Sequence, residues 1–346
     1  LPKSRTMKRN PLMLAIGLMA FSQTFAQKAD SSEFYFQKGI EEKTAKRFLM
    51  ASTYLDKAIQ FNPKFKEAYI ESGYVNLEMR KTDKAMMHFN KVLELEPSNT
   101  IASKELMDLY YSYRQFTKAR EMANKCTSCL NSEKIKAMCS YNEEDYGSAV
   151  KGLTSYLSKN PTDAEATYTL ARSFLDMEDY RNAIPYYNKA VVLNGEKNTW
   201  MYELGLLYYS QEDYKNAVVF FNKAAEKGYP QKSDFVENLG YAYMFSGQTD
   251  QGEKLLLDLL QKKPNNKELL RDMAEAFYNG KMYQKSLGYC EQLMKIDAND
   301  GKALYQAGLC FQKMGQKDKG QGMCDKAIEM DPSLNGLRQK QMTMGL

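Results

Sequence analysis

Three of the chain's six cysteines fall in KCTSCLNSEKIKAMC, Lys125 to Cys139, two of them as the pair Cys126-x-x-Cys129. That spacing suits a metal knuckle, a thiol–disulfide redox pair, a structural clip, or plain packing. A zinc knuckle needs a full ligand set, and no second C-x-x-C or nearby histidine supplies the rest. A thioredoxin-like pair requires a βαβ setting, which the surrounding pattern does not offer. In an oxidising compartment neighbouring thiols tend to pair. The expectation is a Cys126–Cys129 disulfide, since residues three apart on a helix sit about 5 Å apart at Cα, within bridging range. Cys126–Cys139 is the runner-up. Cys139, Cys290, Cys310 and Cys324 fit packing positions, as small apolar residues.

Other chemistry is hard to assemble. The single histidine, His88, precedes an apolar Phe89 and reads as a surface residue. Without a second histidine no Cys–His or Ser–His–Asp set forms. No G-x-x-x-x-G-K-[ST] loop occurs, nor a Gly-loop between strand and helix. The carboxylate pairs Glu41–Glu42 and Glu143–Glu144 stand near helix ends, where solvated charge is the ordinary state. The sequence predicts no catalytic residue, no metal site and no cofactor: a protein that is not an enzyme.

Among 346 residues, Lys and Arg number 48 against 43 Asp and Glu. Four of the cations, Lys3, Arg5, Lys8 and Arg9, lie in the first 26 residues, which hold no acid. The remainder is near neutral, so it lacks the electrostatic footprint for nucleic acid or an anionic membrane. The N-terminal pattern is a basic MKRN (Met7–Asn10), an apolar LMLAIGLMAF (Leu12–Phe21), then Thr24 and Ala26 at the −3 and −1 positions of a small-residue cleavage site. It reads as a signal peptide over 1–26, with translation starting at Met7. Its apolar run is too short to span a bilayer, which needs about 20 residues. No cysteine lies near the cleavage point, so lipid anchoring on an N-terminal cysteine is not expected. Export is, to a bacterial periplasm or beyond, with no transmembrane segment in the mature chain. The absence of an N-x-[ST] acceptor after residue 26 (Asn160-Pro-Thr being barred by its proline) favours a bacterial route.

The elements that must position any site come from self-similarity. TLARSFLDMEDYRNAIPYYNKA (Thr169–Ala190) and ELGLLYYSQEDYKNAVVFFNKA (Glu203–Ala224) share a frame: L-[AG]-x-x-[FY], D-Y-x-x-A, then N-K-A, offset by 34 residues. A position taken by a small residue in most units recurs at Gly39, Gly73, Met107, Ala137, Ala171, Gly205, Gly240, Ala274 and Gly308, with one shortened step of 30 between Met107 and Ala137. A second recurs from Ala51 to Gly320 in the same rhythm. Apolar residues within each half-unit follow three- and four-residue steps, the helical period. In the sixth unit these are Met201, Leu204, Leu207 and Tyr208, then Ala217, Phe220, Phe221 and Ala224. Asp145, Asp179 and Asp213 stand where second helices begin, as N-caps. Pro185 falls about one turn into its helix, where it is tolerated. The plan is a linker over 27–31, nine helix–turn–helix units over 32–332 with the third shortened, and a tail or capping helix over 333–346.

This frame resembles the tetratricopeptide repeat, and the resemblance covers nearly the whole chain after residue 31. It implies an all-α, right-handed α-solenoid of about nine repeats whose first helices line a concave groove. It depends on unit-end prolines at Pro63, Pro97, Pro161, Pro264 and Pro332, while Glu42, Asn76 and Ser140 stand where an aromatic is usual. On that resemblance the groove face carries Tyr74, Tyr111, Tyr141, Tyr168, Arg172, Tyr202, Tyr209, Tyr241, Phe245, Arg271, Tyr278 and Tyr305. Glu71, Glu203, Glu237 and Glu275 interleave with them. The family subtype that clamps a C-terminal carboxylate with Lys and Asn finds no Asn at the matching positions here. Aromatic rings with polar tips suit a wet binding surface. The expected function is therefore an exported scaffold binding a protein or peptide in a tyrosine-lined groove, in envelope assembly or secretion. The alternatives are a glycan-binding protein or an accessory subunit of an envelope enzyme complex. Glycan stacking lacks a tryptophan platform, because Trp200, the only tryptophan, is expected to pack inside.

Overall fold

A glycine or alanine on one helix makes room for a larger residue on the next, and this exchange builds most repeats. The computed structural model describes residues 31–336. Helix α1 covers residues 31–44. There follow α2 (Phe48–Phe61), α3 (Lys66–Glu78), α4 (Thr82–Leu95), α5 (Thr100–Ser112), α6 (Phe116–Lys125), α7 (Ser132–Asn142) and α8 (Tyr146–Lys159). These make a first compact unit ending at Pro161. The second unit, from Thr162, holds α9 (Ala164–Asp176), α10 (Tyr180–Leu193), α11 (Asn198–Ser210), α12 (Tyr214–Glu226) and α13 (Ser233–Phe245). It continues with α14 (Thr249–Lys262), α15 (Lys267–Asn279), α16 (Tyr283–Ile296), α17 (Gly301–Lys313), α18 (Lys317–Met330) and a 3₁₀ turn, Pro332–Leu334. The class is an all-α solenoid of about nine helix–turn–helix repeats, with no β-sheet among the described residues.

Within a repeat the small position of the first helix faces the residue sixteen positions on. A Cβ on Gly73 would lie 2.6 Å from the Phe89 ring, and one on Gly205 would lie 2.6 Å from Phe221. Both rings are fully buried. The third repeat reverses the sizes, with Met107 on the first helix and Ala123 on the second, both fully buried in one cluster. Across these three pairs combined volume is held while its division between helices varies, in keeping with close packing.

The turn between the two helices is equally regular. Left-handed backbone occurs at Lys46, Arg80, Arg114, Glu144, Glu178, Glu212, Gly247, Lys281 and Gly315, in the same rhythm as the small residues. At Glu178 the N–H bonds the Leu175 carbonyl, and the next N–H, of Asp179, bonds the Phe174 carbonyl, both at 2.8 Å. This paired closure is how helices commonly end. The Asp179 side chain then accepts from Asn182 N at 3.2 Å, so one residue closes one helix and caps the next. Asp145 and Asp213 cap α8 and α12 in the same way. Helix α10 runs unbroken across Pro185.

The shortened interval lies in the first unit. Helix α6 has 10 residues where α4 and α8 have 14. Cys126, its C-cap, is joined to Cys129 by a disulfide with Cα atoms 5.3 Å apart. The alternative pairing with Cys139 is not made. Cys139 sits inside α7 as a fully buried thiol, and burial pushes it up to about 11. Cys290, Cys310 and Cys324 are likewise buried thiols.

His88 corrects the surface reading: it is only 5% exposed. Its Nε2 lies 3.3 Å from Ser72 Oγ, and Asn76 Nδ2 donates to the Ser72 carbonyl at 2.8 Å. Where a first helix usually places an aromatic, Asn76 instead admits a buried polar seam. Burial pushes the His88 imidazole below its ordinary value; the field of Asp56 acts against this and that of Lys84 with it. The unfolded chain therefore takes up the proton first as pH falls. The stability contributed by the neutral ring is fully present above about pH 6.5 and is lost below it, through the folded value. Between pH 7.5 and pH 5 the native chain should lose more urea resistance than His88→Gln does; parallel losses would show that the ring is not the sensor.

Candidate functional site

The tyrosine series on the first helices divides into two kinds, and the division locates the site. Tyrosines of the first kind reach along the array to the next first helix. In the first unit Tyr74 donates to Glu105 at 3.4 Å, and Asn142 Nδ2 donates to Tyr111 at 3.2 Å. In the second unit Tyr168 donates to Glu203 at 2.8 Å, Asn238 Nδ2 donates to Tyr202 at 3.0 Å, and Tyr241 donates to Asp272 at 3.3 Å. The separations are 31, 35 or 36 residues. Each is one repeat displaced by about a helical step, so donor and acceptor share a face. These side chains tie neighbouring repeats together, a role the sequence reading did not assign. Its signal was present as a polar residue one period on, less three or plus one.

Packing takes up much of the remaining ring area. Tyr168 stacks on Trp200 at 4.3 Å, and Trp200 is 7% exposed. Tyr202 stacks on Tyr229, also at 4.3 Å. Tyr305 is 3% exposed and Tyr241 8%, so neither stands on an open face as expected. Tyr141 packs its ring against Tyr146 in the first unit. Arg271 pairs with Asp300 at 2.8 Å and, with Tyr305, lines a cavity at α15–α17 that Leu334 borders. Arg172 is half-buried on α9.

Tyr209 and Tyr278 form the second kind. Both are half-exposed, and among the described residues no group hydrogen-bonds either hydroxyl. Burial raises each phenol to about 12, so both stay protonated donors at neutral pH. Tyr209 lines a cavity of about 230 Å³ together with Tyr241, Phe245, Asp272, Glu275 and Asn279. Phe245 is 37% exposed and packs 4.9 Å from the Tyr214 ring. Burial raises the Asp272 carboxyl, and both burial and the charge of Asp272 raise Glu237 beside it. Tyr278 lines a wider cavity of about 800 Å³ with Asn279, Lys281, Tyr283, Leu309, Gln312, Lys313, Lys317, Asp318 and Gln321. Asn279 belongs to both, so the two depressions adjoin.

Among the described residues no group of three or more His, Cys, Asp or Glu is placed to hold a metal ion, and no helix is long and apolar enough to cross a membrane. Convergent aromatic rings with free donors and acceptors, on an array of paired helices, define a recognition scaffold.

The comparisons with known proteins agree on that class. Family models described as the tetratricopeptide repeat match residues 66–99, 168–233 and 302–333. The chain is a tetratricopeptide-repeat protein, an interaction scaffold whose fold is consistent with a non-catalytic role. It is 22% identical over 204 residues to the rice DnaJ protein P58IPK homolog B, covering 54% of this chain and 43% of that one. It is 28% identical over 147 residues to the human protein O-mannosyl-transferase TMTC3, covering 40% and 16%. Among solved structures it resembles YrrB, described as a tetratricopeptide-repeat protein with an unusual peptide-binding site. That match has 24% identity and a TM-score of 0.40, over 56% of this chain and all of that one. The chain thus spans about two fifths of the length of the DnaJ relatives it matches.

Proposed function

We propose that the chain is an exported scaffold that holds a peptide segment of a protein partner against the first-helix face of its second unit, in the assembly or secretion of envelope components. The observation that carries this reading is the convergence of the Tyr209 and Tyr278 rings, with unengaged hydroxyls, and the exposed Phe245 ring on two adjoining cavities. Tyr168, Arg172, Tyr202, Tyr241, Arg271 and Tyr305 serve this face as its walls and supports, while Tyr74, Tyr111 and Tyr141 occupy the corresponding first-helix positions of the first unit. Export is supported by the basic-then-apolar pattern of residues 7–26, which lie outside the described residues, and by the Cys126–Cys129 disulfide, a bond that persists in oxidising compartments.

A photo-reactive phenylalanine analogue placed at Tyr209 or Tyr278 in the native host should form discrete partner adducts. The same analogue at exposed Val192, on a second helix, should not. Identical adducts from all three positions would sink the groove assignment. In the same host the mature chain should begin at Gln27; a chain retaining residues 7–26 would overturn export.

A further inference from the structure

The two adjoining cavities of the second unit carry opposite charge, and this limits what they accept. In the first, Asp272 and Glu275 stand among Tyr209, Tyr241 and Phe245. Glu237 is close enough to act electrostatically on both Tyr241 and Tyr209. Among the described residues none of Glu237, Asp272 and Glu275 forms an ion pair, and the nearby Arg271 is engaged by Asp300. The charge of Arg271 reaches Asp272, and Lys302 lines a further cavity with Glu275, but neither cation pairs with these acids. Three carboxylates without an ion pair, beside aromatic faces, leave a position that a cation fills best. The rings offer the negative face of their quadrupole and the acids offer charge. The second cavity holds Lys281, Lys313 and Lys317 against the single acid Asp318, and none of these lysines is paired among the described residues.

We propose that this face recognises an extended peptide in which an arginine or lysine enters the Tyr209–Tyr241–Phe245 cavity while an acidic side chain about three residues away meets Lys281, Lys313 and Lys317. This rests on the peptide-scaffold reading and adds the chemistry of the ligand. The spacing follows from the array. The acids of the first cavity come from α15, and Lys313 and Lys317 belong to the next repeat. Packed helices lie about 10 Å apart, and an extended chain advances about 3.3 Å per residue. Electrostatic complementarity of this kind selects the partner and sets its register more than it sets raw affinity. A uniformly acidic or uniformly basic peptide would meet like charge at one of the two cavities.

The test uses peptide pools, randomised except for a fixed Arg-x-x-Glu, and the full chain immobilised. Companion pools carry citrulline for arginine, a neutral side chain of the same shape, or glutamine for glutamate. Replacing arginine by citrulline should weaken retention about tenfold, the equivalent of one lost charge contact. The variant Asp272→Asn/Glu275→Gln should lose that discrimination while keeping the discrimination at glutamate. Asparagine still accepts from Tyr241, and unchanged thermal melting checks that the fold is intact. Lys313→Gln/Lys317→Gln should do the reverse. Equal retention of arginine and citrulline pools by the native chain overturns this inference and leaves the peptide-scaffold reading standing. Failure to retain any pool overturns both.

Discussion

Gly205→Met should destabilise the second unit by about 1–3 kcal/mol and Phe221→Ala by about 3–5 kcal/mol, yet the double variant should lose clearly less than the sum. The first substitution drives a side chain into a ring that leaves no room even for a Cβ, which would sit 2.6 Å away. The second empties a fully buried site. Together they reproduce the division of volume that the third repeat already uses in Met107 and Ala123. Urea midpoints for the four proteins of a double-mutant cycle give the coupling directly. We expect about 2 kcal/mol or more of recovery. Strict additivity would mean that the two positions do not share one volume.

Glu203→Ala should cost about 2–4 kcal/mol, and Glu203→Gln under about 1. Glu203 accepts from two phenols, Tyr168 at 2.8 Å and Tyr187 at 3.0 Å. Tyr187 is among the largest fully buried side chains of the molecule. Burial, followed by the carboxylate beside them, pushes both phenols up, so each remains a donor across the range where the chain is folded. Alanine leaves two hydroxyls with no acceptor, one of them on a fully buried side chain, whereas glutamine keeps a carbonyl in reach. Thermal melts of the two variants separate the explanations. Similar losses for both would show that the charge, rather than the acceptor, matters.

The repeat was legible because its determinants are local and recur. The small residue, the Asp before the second helix and the apolar steps each act within one helix pair, and 34-residue spacing marks them in the bare sequence. What escaped depends on which face a position presents to the next repeat. His88 looked exposed because its partner, Ser72, lies on the preceding helix. Tyr241 and Tyr305 matched the groove positions in register, but the side chains packed around them leave little of either exposed. Asp272 and Asn279, which line the first cavity, carry no local motif and emerge only when α13 and α15 are set side by side. Glu275 was recognised as one charge among several; its place in the lining of the first cavity is a property of the folded face.

The tyrosine links between first helices also bear on how the array comes apart. In a stack where each repeat touches only its neighbours, stability divides into what a repeat contributes alone and what it shares across each junction. A hydroxyl donated to the following repeat, as from Tyr168 to Glu203, belongs wholly to the shared part. Breaking it does little to the repeat that owns it, but it lowers the resistance to a boundary between folded and frayed helices at that junction. The sequence thereby sets the pattern of cooperativity along the chain, junction by junction. Amide exchange would register these polar ties as steps in protection rather than as a uniform slope.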